Sequence, residues 1–241
     1  MHTEMKKSPR WQKLRRIFEN QVMTLERLVT DTESIKQVSF LRDGPLKRHV
    51  ITRALDLGLE NAPIPILAVI PRNCMETMRQ ISFINFNGIN GTTGLSLNKV
   101  RDTEEKLPHH HPYWAFGVDI GTETMNMVAR TATEKIVAGK KRPLTLAEII
   151  ALHIQYPETL KFSTNACGSS YRMRESGVLE KIPAIYVCNQ QPTATWNTLD
   201  KNRTNCGTGP WVTPSCMERM GNLGLMTYIQ CRYWRVRKER K

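Results

Sequence analysis

Apolar residues at Trp11, Leu14, Phe18, Leu25 and Leu28, with Val22 alongside, recur at three, four and seven positions and so form one stripe of an amphipathic helix. The spacing predicts a helix from Pro9 to Val29. A stripe of that width has to be buried against another element, so the chain is committed to a packed, layered fold from its first thirty residues. The first turns of this helix are basic, although a helix N-terminus favours anions. The mismatch costs at most about 1 kcal/mol, which leaves room for the charges to serve another purpose.

Leu46, Val50, Ala54 and Leu57 repeat the helical spacing, and Gly58 is a natural stop. Ile64 to Ile70 is a short apolar run between Pro63 and Pro71, with Pro65 inside it, which suits a strand whose beginning lies at a sheet edge. Met75, Met78 and Ile81 suggest a helix after Asn73, and the glycines at 88, 91 and 94 mark Asn85 to Asn98 as a loop. Tyr113 to Asp119 reads as a strand closed by an Asp-Ile-Gly turn. Thr145-Leu146-Ala147-Glu148 is a capping box, and the helix it opens must end near Pro157. Ala184 to Cys188 looks like a buried strand and Met226 to Val236 like a long final one.

Helices and strands thus alternate irregularly, without internal repeats or a linker. The expected fold class is α/β or α+β, a single domain with a mixed sheet flanked by helices. The layout is a basic amphipathic helix over 1–30, one mixed domain over 31–231 whose best-patterned part is 108–221, and a basic end over 232–241.

No window approaches the ~20 apolar residues of a membrane span, and the N-terminus lacks the apolar core of an export signal, so a cytoplasmic protein is expected. Six cysteines with no C-x-x-C pair are then free thiols rather than a disulfide framework. The formal net charge is +13, and its placement matters more than its size. Residues 1–16 hold six basic side chains against one acidic, and residues 232–241 do the same, so each end carries +5 and everything between only +3.

Three places could carry chemistry. Pro108-His109-His110-His111-Pro112 spends half of the six histidines. If extended, it turns His109 and His111 to one side, an H-x-H start for a zinc site to which Cys206, Cys216 or His153 could add a ligand. Glu148, Cys216 and Arg219 are candidates for a catalytic carboxylate, thiol and cation, with Glu148 as the base of a metal-assisted hydrolysis. Glycine-rich phosphate cradles and the serine-hydrolase elbow are not found, since G-x-x-x-x-G-K-[ST], G-x-G-x-x-G and G-x-S-x-G do not occur. At the C-terminal end, Arg232, Tyr233, Trp234, Arg235, Arg237 and Lys238 set cations beside aromatics, as single-stranded nucleic acid requires for phosphate neutralisation and base stacking.

The segments PHHHPYWAFGVDIGTETMN, RPLTLAEIIALHIQYPETL, CGSSYR, IPAIYV and TPSCMERMG resemble an uncharacterised family of bacterial proteins, classed as a domain of unknown function. The likeness is clearest from Pro108 to Gly221. It departs from the family pattern at Ile149, where glycine is expected, and at Ser170-Tyr171, which interrupts a G-S-R turn. The resemblance supplies no activity. It implies that Tyr113, Trp114, Glu148, Ser169, Trp196, Ser215, Cys216 and Arg219 meet in space, either as a pocket for a small polar ligand or as core. Two readings follow: a non-catalytic protein that binds nucleic acid or another polyanion through its basic ends, or a metal-assisted hydrolase or small-molecule-binding protein built around His109–Trp114 and Cys216–Arg219.

Overall fold

A computed structural model describes residues 8–103, 107–171, 181–200 and 211–217. In chain order the helices are α1 (Pro9–Leu28), α2 (Thr32–Leu41), α3 (Gly44–Asp56), α4 (Thr77–Ser82), α5 (Ala129–Ala138) and α6 (Leu146–Gln155). The strands are β1 (Ile64–Val69), β2 (Asn85–Phe86), β3 (Ile89–Asn90), β4 (Thr92–Thr93), β5 (Val100–Asp102), β6 (Tyr113–Val118), β7 (Lys141–Pro143), β8 (Ser163–Asn165), β9 (Ser169–Tyr171), β10 (Lys181–Cys188), β11 (Gln191–Thr198), β12 (Trp211–Val212) and β13 (Ser215–Met217). The class is mixed α+β, as expected. Within it the described residues cluster in two compact units, 8–75 with 108–118, and 76–107 with 119–217.

The first unit sets α1, α2 and α3 beside an antiparallel pair, β1 and β6, in which Ile66 faces Phe116 and Ala68 faces Trp114. The stripe of α1 is buried as its spacing requires, at Trp11, Leu14, Phe18, Val22 and Leu25. Phe18 stacks on Trp114 with ring centroids 4.3 Å apart. Gln21 is also buried on that stripe, where the periodicity gave no reason to expect a polar residue. Its amide pairs with the outer edge of β1, Nε2 donating to the Ile66 carbonyl at 2.7 Å and Oε1 accepting from the Ala68 N–H at 2.7 Å. A side chain thereby gives β1 the hydrogen bonds that a third strand would supply.

The basic first turns of α1 are explained in part. Arg10 pairs with the buried Glu60 at 3.0 Å, Lys13 donates to the Glu60 carbonyl at 2.7 Å, and Arg15 and Lys47 both reach Glu19. Ser8 caps the helix by accepting from the Trp11 N–H at 3.2 Å. Helix α2 was not apparent in the sequence because it buries only Ser34, Val38 and Leu41.

The second unit is built on a mixed sheet ordered β12-β8-β10-β11-β4, with β9 pairing β10 and β5 pairing β9. Strand β12 runs parallel to β8 and β4 parallel to β11, while the other pairs are antiparallel. The long hairpin β10–β11 turns at Asn189 and Gln190, both with positive φ. The segment expected to be a loop from Asn85 contains a second hairpin, β2–β3, turning at Asn87 (φ 51°) and Gly88 (φ 84°). Two residues of positive φ in a two-residue loop form the Asn-Gly turn whose twist matches the flanking strands. The strand expected over Met226 to Val236 lies outside the described residues.

Candidate functional site

The capping box at Thr145 forms as its residue types require. Thr145 Oγ1 accepts from the Glu148 N–H at 3.4 Å, and the Glu148 carboxylate accepts from the Thr145 N–H at 2.9 Å. The same carboxylate has a second partner that the sequence did not announce. Arg142 donates from Nη1 to Glu148 Oε2 at 2.8 Å and from Nη2 to Oε1, a two-pronged ion pair between buried side chains. Thr145 Oγ1 adds a donor to Oε2 at 3.1 Å. Both oxygens of Glu148 are therefore engaged, Oε1 by Arg142 of β7 and Oε2 by Arg142 and by Thr145 at the start of α6.

Around this pair several of the sequence segments interlock. Strand β7 pairs with β13, setting Arg142 opposite Cys216 and Pro143 opposite Ser215. Asp119 and Ser215 exchange backbone hydrogen bonds of 2.8 and 3.0 Å, and the Leu144 N–H reaches the Pro214 carbonyl at 3.0 Å. The Gly168 N–H donates to the Leu144 carbonyl at 2.9 Å. A Cβ at Gly168 would lie 2.6 Å from the Pro143 carbonyl oxygen and 2.8 Å from Leu144 C, so no other residue fits without moving backbone. Ser169, which is fully buried, accepts from the Leu146 N–H at 3.0 Å and donates to Asp102 Oδ1 at 2.6 Å. One helix start thus gathers Arg142, Thr145, Glu148, Ser169, Ser215 and Asp102 around a junction of four strands.

A second buried polar centre lies at the other end of α6. His153 has no exposed surface, and its Nδ1 and Nε2 lie 2.9 and 2.8 Å from the hydroxyls of Thr159 and Thr164. Those hydroxyls also reach the carbonyls of Tyr156 at 2.6 Å and Ile185 at 3.1 Å. Burial pushes the imidazole down to a pKa of about 3, so the ring is neutral. A neutral ring offers one N–H, so one of the two threonines turns its proton toward the ring.

Of the residues singled out in the sequence, Glu148, Ser169 and Ser215 come together in the second unit, with the backbone of Cys216 beside them. Tyr113 and Trp114 are core residues of β6 in the first unit, and the Trp114 Nε1 has no hydrogen-bond partner among the described residues. Trp196, half-buried on β11, faces Pro183 across the hairpin and holds the Lys181 ammonium 3.5 Å from its ring centre.

The histidine run is not extended. His109 and His110 form a turn, with His110 Nδ1 3.5 Å from Asn73 Nδ2, and the strand begins only at Tyr113, so the alternation expected of His109 and His111 does not arise. Among the described residues, no group of three or more His, Cys, Asp or Glu side chains could hold a metal ion. Cys206, Arg219 and the C-terminal set Arg232, Tyr233, Trp234, Arg235, Arg237 and Lys238 lie outside the described residues.

Arg142 and Asp102 are the two polar residues that sequence reasoning passed over. Arg142 follows Lys140 and Lys141 and looks like part of a solvated basic run. Its one distinguishing signal is position, since an arginine six residues before a capping-box glutamate can reach back to it.

No helix among the described residues is long and apolar enough to cross a membrane. No curated protein and no solved structure matches the chain. A family model does match residues 30–204, which span α2 to the end of β11 and include the Arg142–Glu148 pair, and on that match the chain belongs to a family of unknown function, DUF5701.

Proposed function

We propose that the protein is a non-catalytic cytoplasmic binder of nucleic acid or another polyanion, acting through the basic segment that closes the sequence. The observation that carries this reading is the charge distribution: the last ten residues hold six basic side chains against one acidic, beside a body that carries little net charge. The arrangement of Glu148 supports it. Glu148 has no exposed surface and its carboxylate is held by Arg142 and Thr145, which argues for scaffolding at the place where a hydrolase reading needs a base. The basic first turns of α1 also divide the labour, because Arg10, Lys13 and Arg15 are tied to Glu60 and Glu19, leaving Arg16 exposed. In this reading the C-terminal cations, which lie beside Tyr233 and Trp234 in the sequence, are the main contributors.

The test is a titration of a fluorescent single-stranded oligonucleotide with the full chain and with R232Q/R235Q/R237Q. The variant should bind more weakly at low salt while unfolding at the same denaturant concentration. Equal binding by the two proteins contradicts the reading, as does absence of binding by the full chain. Trp234→Ala separates stacking from charge: weaker binding at unchanged salt dependence indicates that bases stack on the indole.

A further inference from the structure

The hairpin β2–β3 contains both Asn-Gly pairs of this chain, Asn87-Gly88 and Asn90-Gly91, three residues apart and in different environments. In such a pair the backbone nitrogen of glycine can attack the side-chain amide carbon of asparagine, because glycine has no side chain to block the approach. We propose that Asn87 is a site of spontaneous deamidation in the folded protein and that Asn90 is protected.

The difference lies in what holds each glycine nitrogen. Asn87 and Gly88 form the exposed tip of the turn, and nothing lies within 4 Å of where a Cβ of Gly88 would stand. The Gly88 N–H donates to the Asn85 side-chain oxygen at 3.0 Å, an exposed bond that water replaces at little cost. The Gly91 N–H instead donates to the Ile84 backbone carbonyl at 2.7 Å, and a Cβ on Gly91 would sit 2.3 Å from the Ile81 carbonyl oxygen, so this backbone is wedged against the end of α4. Both groups of Asn90 are also engaged: its Oδ1 accepts from Asn85 Nδ2 at 2.9 Å and its carbonyl from Gln191 Nε2 at 3.2 Å. The nucleophile that would attack Asn90 is thus anchored to backbone, while the one at Asn87 is held only by a neighbouring exposed side chain.

The chemistry needs only solvent. Hydroxide removes the Gly88 amide proton, the nitrogen forms a bond to Asn87 Cγ, and the carbon–nitrogen bond of the carboxamide breaks, releasing ammonia and leaving a five-membered imide. Water then opens either carbonyl, giving aspartate or its isomer with the main chain routed through the side-chain carboxyl. Nothing is oxidised or reduced. The isomer adds a carbon to a two-residue turn whose fit depends on its length, and either product adds one negative charge to the hairpin tip.

Incubation of the full chain at mildly alkaline pH in oxygen-18 water, followed by proteolysis and mass spectrometry, reads the two sites separately. Label should enter at Asn87 several-fold faster than at Asn90 in the folded protein, and the two rates should converge in urea, where the anchoring of Gly91 is lost. Asn87→Gly, which also takes the positive φ of this turn, should remove the fast phase. Comparable rates in the folded protein, faster labelling at Asn90, a ratio that persists in urea, or no labelling at either site would each overturn the proposal.

Discussion

The guanidinium of Arg142 and the carboxylate of Glu148 meet through two hydrogen bonds in a place that solvent does not reach, and the pair sits where β7 ends and α6 begins. A buried pair of this kind is costly to break, because whichever partner remains is a charge without compensation. Arg142→Met should therefore destabilise the protein by about 3–5 kcal/mol, measured by urea unfolding. R142M/E148L, which removes both charges, should recover part of that loss while still lacking the capping interaction. Single variants with unchanged midpoints would show that the junction does not hold the fold.

His153 predicts a specific pH dependence. Its folded-state pKa of about 3 lies below the ordinary imidazole value because burial penalises the charged ring, so the unfolded chain takes up the proton first as the solution is acidified. Stability is fully present above pH ~6.5 and falls as the pH drops from there toward 3, by up to about 1.4 kcal/mol per pH unit. His153→Gln should flatten that slope. A slope between pH 6 and 4 that is the same in both proteins would rule out His153 as its source.

The thiols should differ in reactivity. Burial pushes both Cys74 and Cys167 up to a pKa of about 11, with Glu33 adding to the shift at Cys74 and the hydroxyls of Thr133 and Thr213 working against it at Cys167. Thiols at such values are protonated at neutral pH and react slowly. Among Cys74, Cys167 and Cys188, iodoacetamide should label the half-buried Cys188 first, and peptide mapping of the native protein checks the order. Early labelling of Cys167 would mean that the Ala129–Ile182 cluster around it opens readily.

Gln21 should matter more than its neighbours on α1 suggest. Gln21→Leu keeps the apolar stripe but leaves the Ile66 carbonyl and the Ala68 N–H of β1 without the bonds they now make. Each buried backbone group so stranded costs about 1–3 kcal/mol. Denaturation by urea and amide exchange at Ala68 test this, and protection of Ala68 as strong in the variant as in the parent would contradict it.

The elements legible in the sequence are those specified by local chemistry. Ser8 and Pro9 start α1, Gly58 stops the chain after α3, and Thr145 with Glu148 starts α6, each for reasons that reside within a few residues. Helix α2 escaped because it buries only three residues, and strands β8 and β9 because they are three residues each and are held by β10, which lies further along the chain. The candidate site was legible only in part: Glu148, Ser169 and Ser215 come together, while Tyr113 and Trp114 belong to the first unit and Arg142 and Asp102 gave no motif signal of their own. Whether such residues line a pocket or lock a core depends on burial, which Arg142 decides from within a run that reads as surface.

The claim on which the functional account rests is that the C-terminal cations bind a polyanion by displacing its counterions. The direct measurement is the slope of log K against log salt concentration for a single-stranded oligonucleotide, with the full chain and with all six basic residues of 232–241 replaced by glutamine. For single strands each phosphate neutralised contributes about −0.7 to the slope, so the replacement should reduce its magnitude by up to about 4. The account predicts a steep slope for the full chain and a shallow one for the variant. Equal slopes would contradict it and place the binding, if any, elsewhere on the protein.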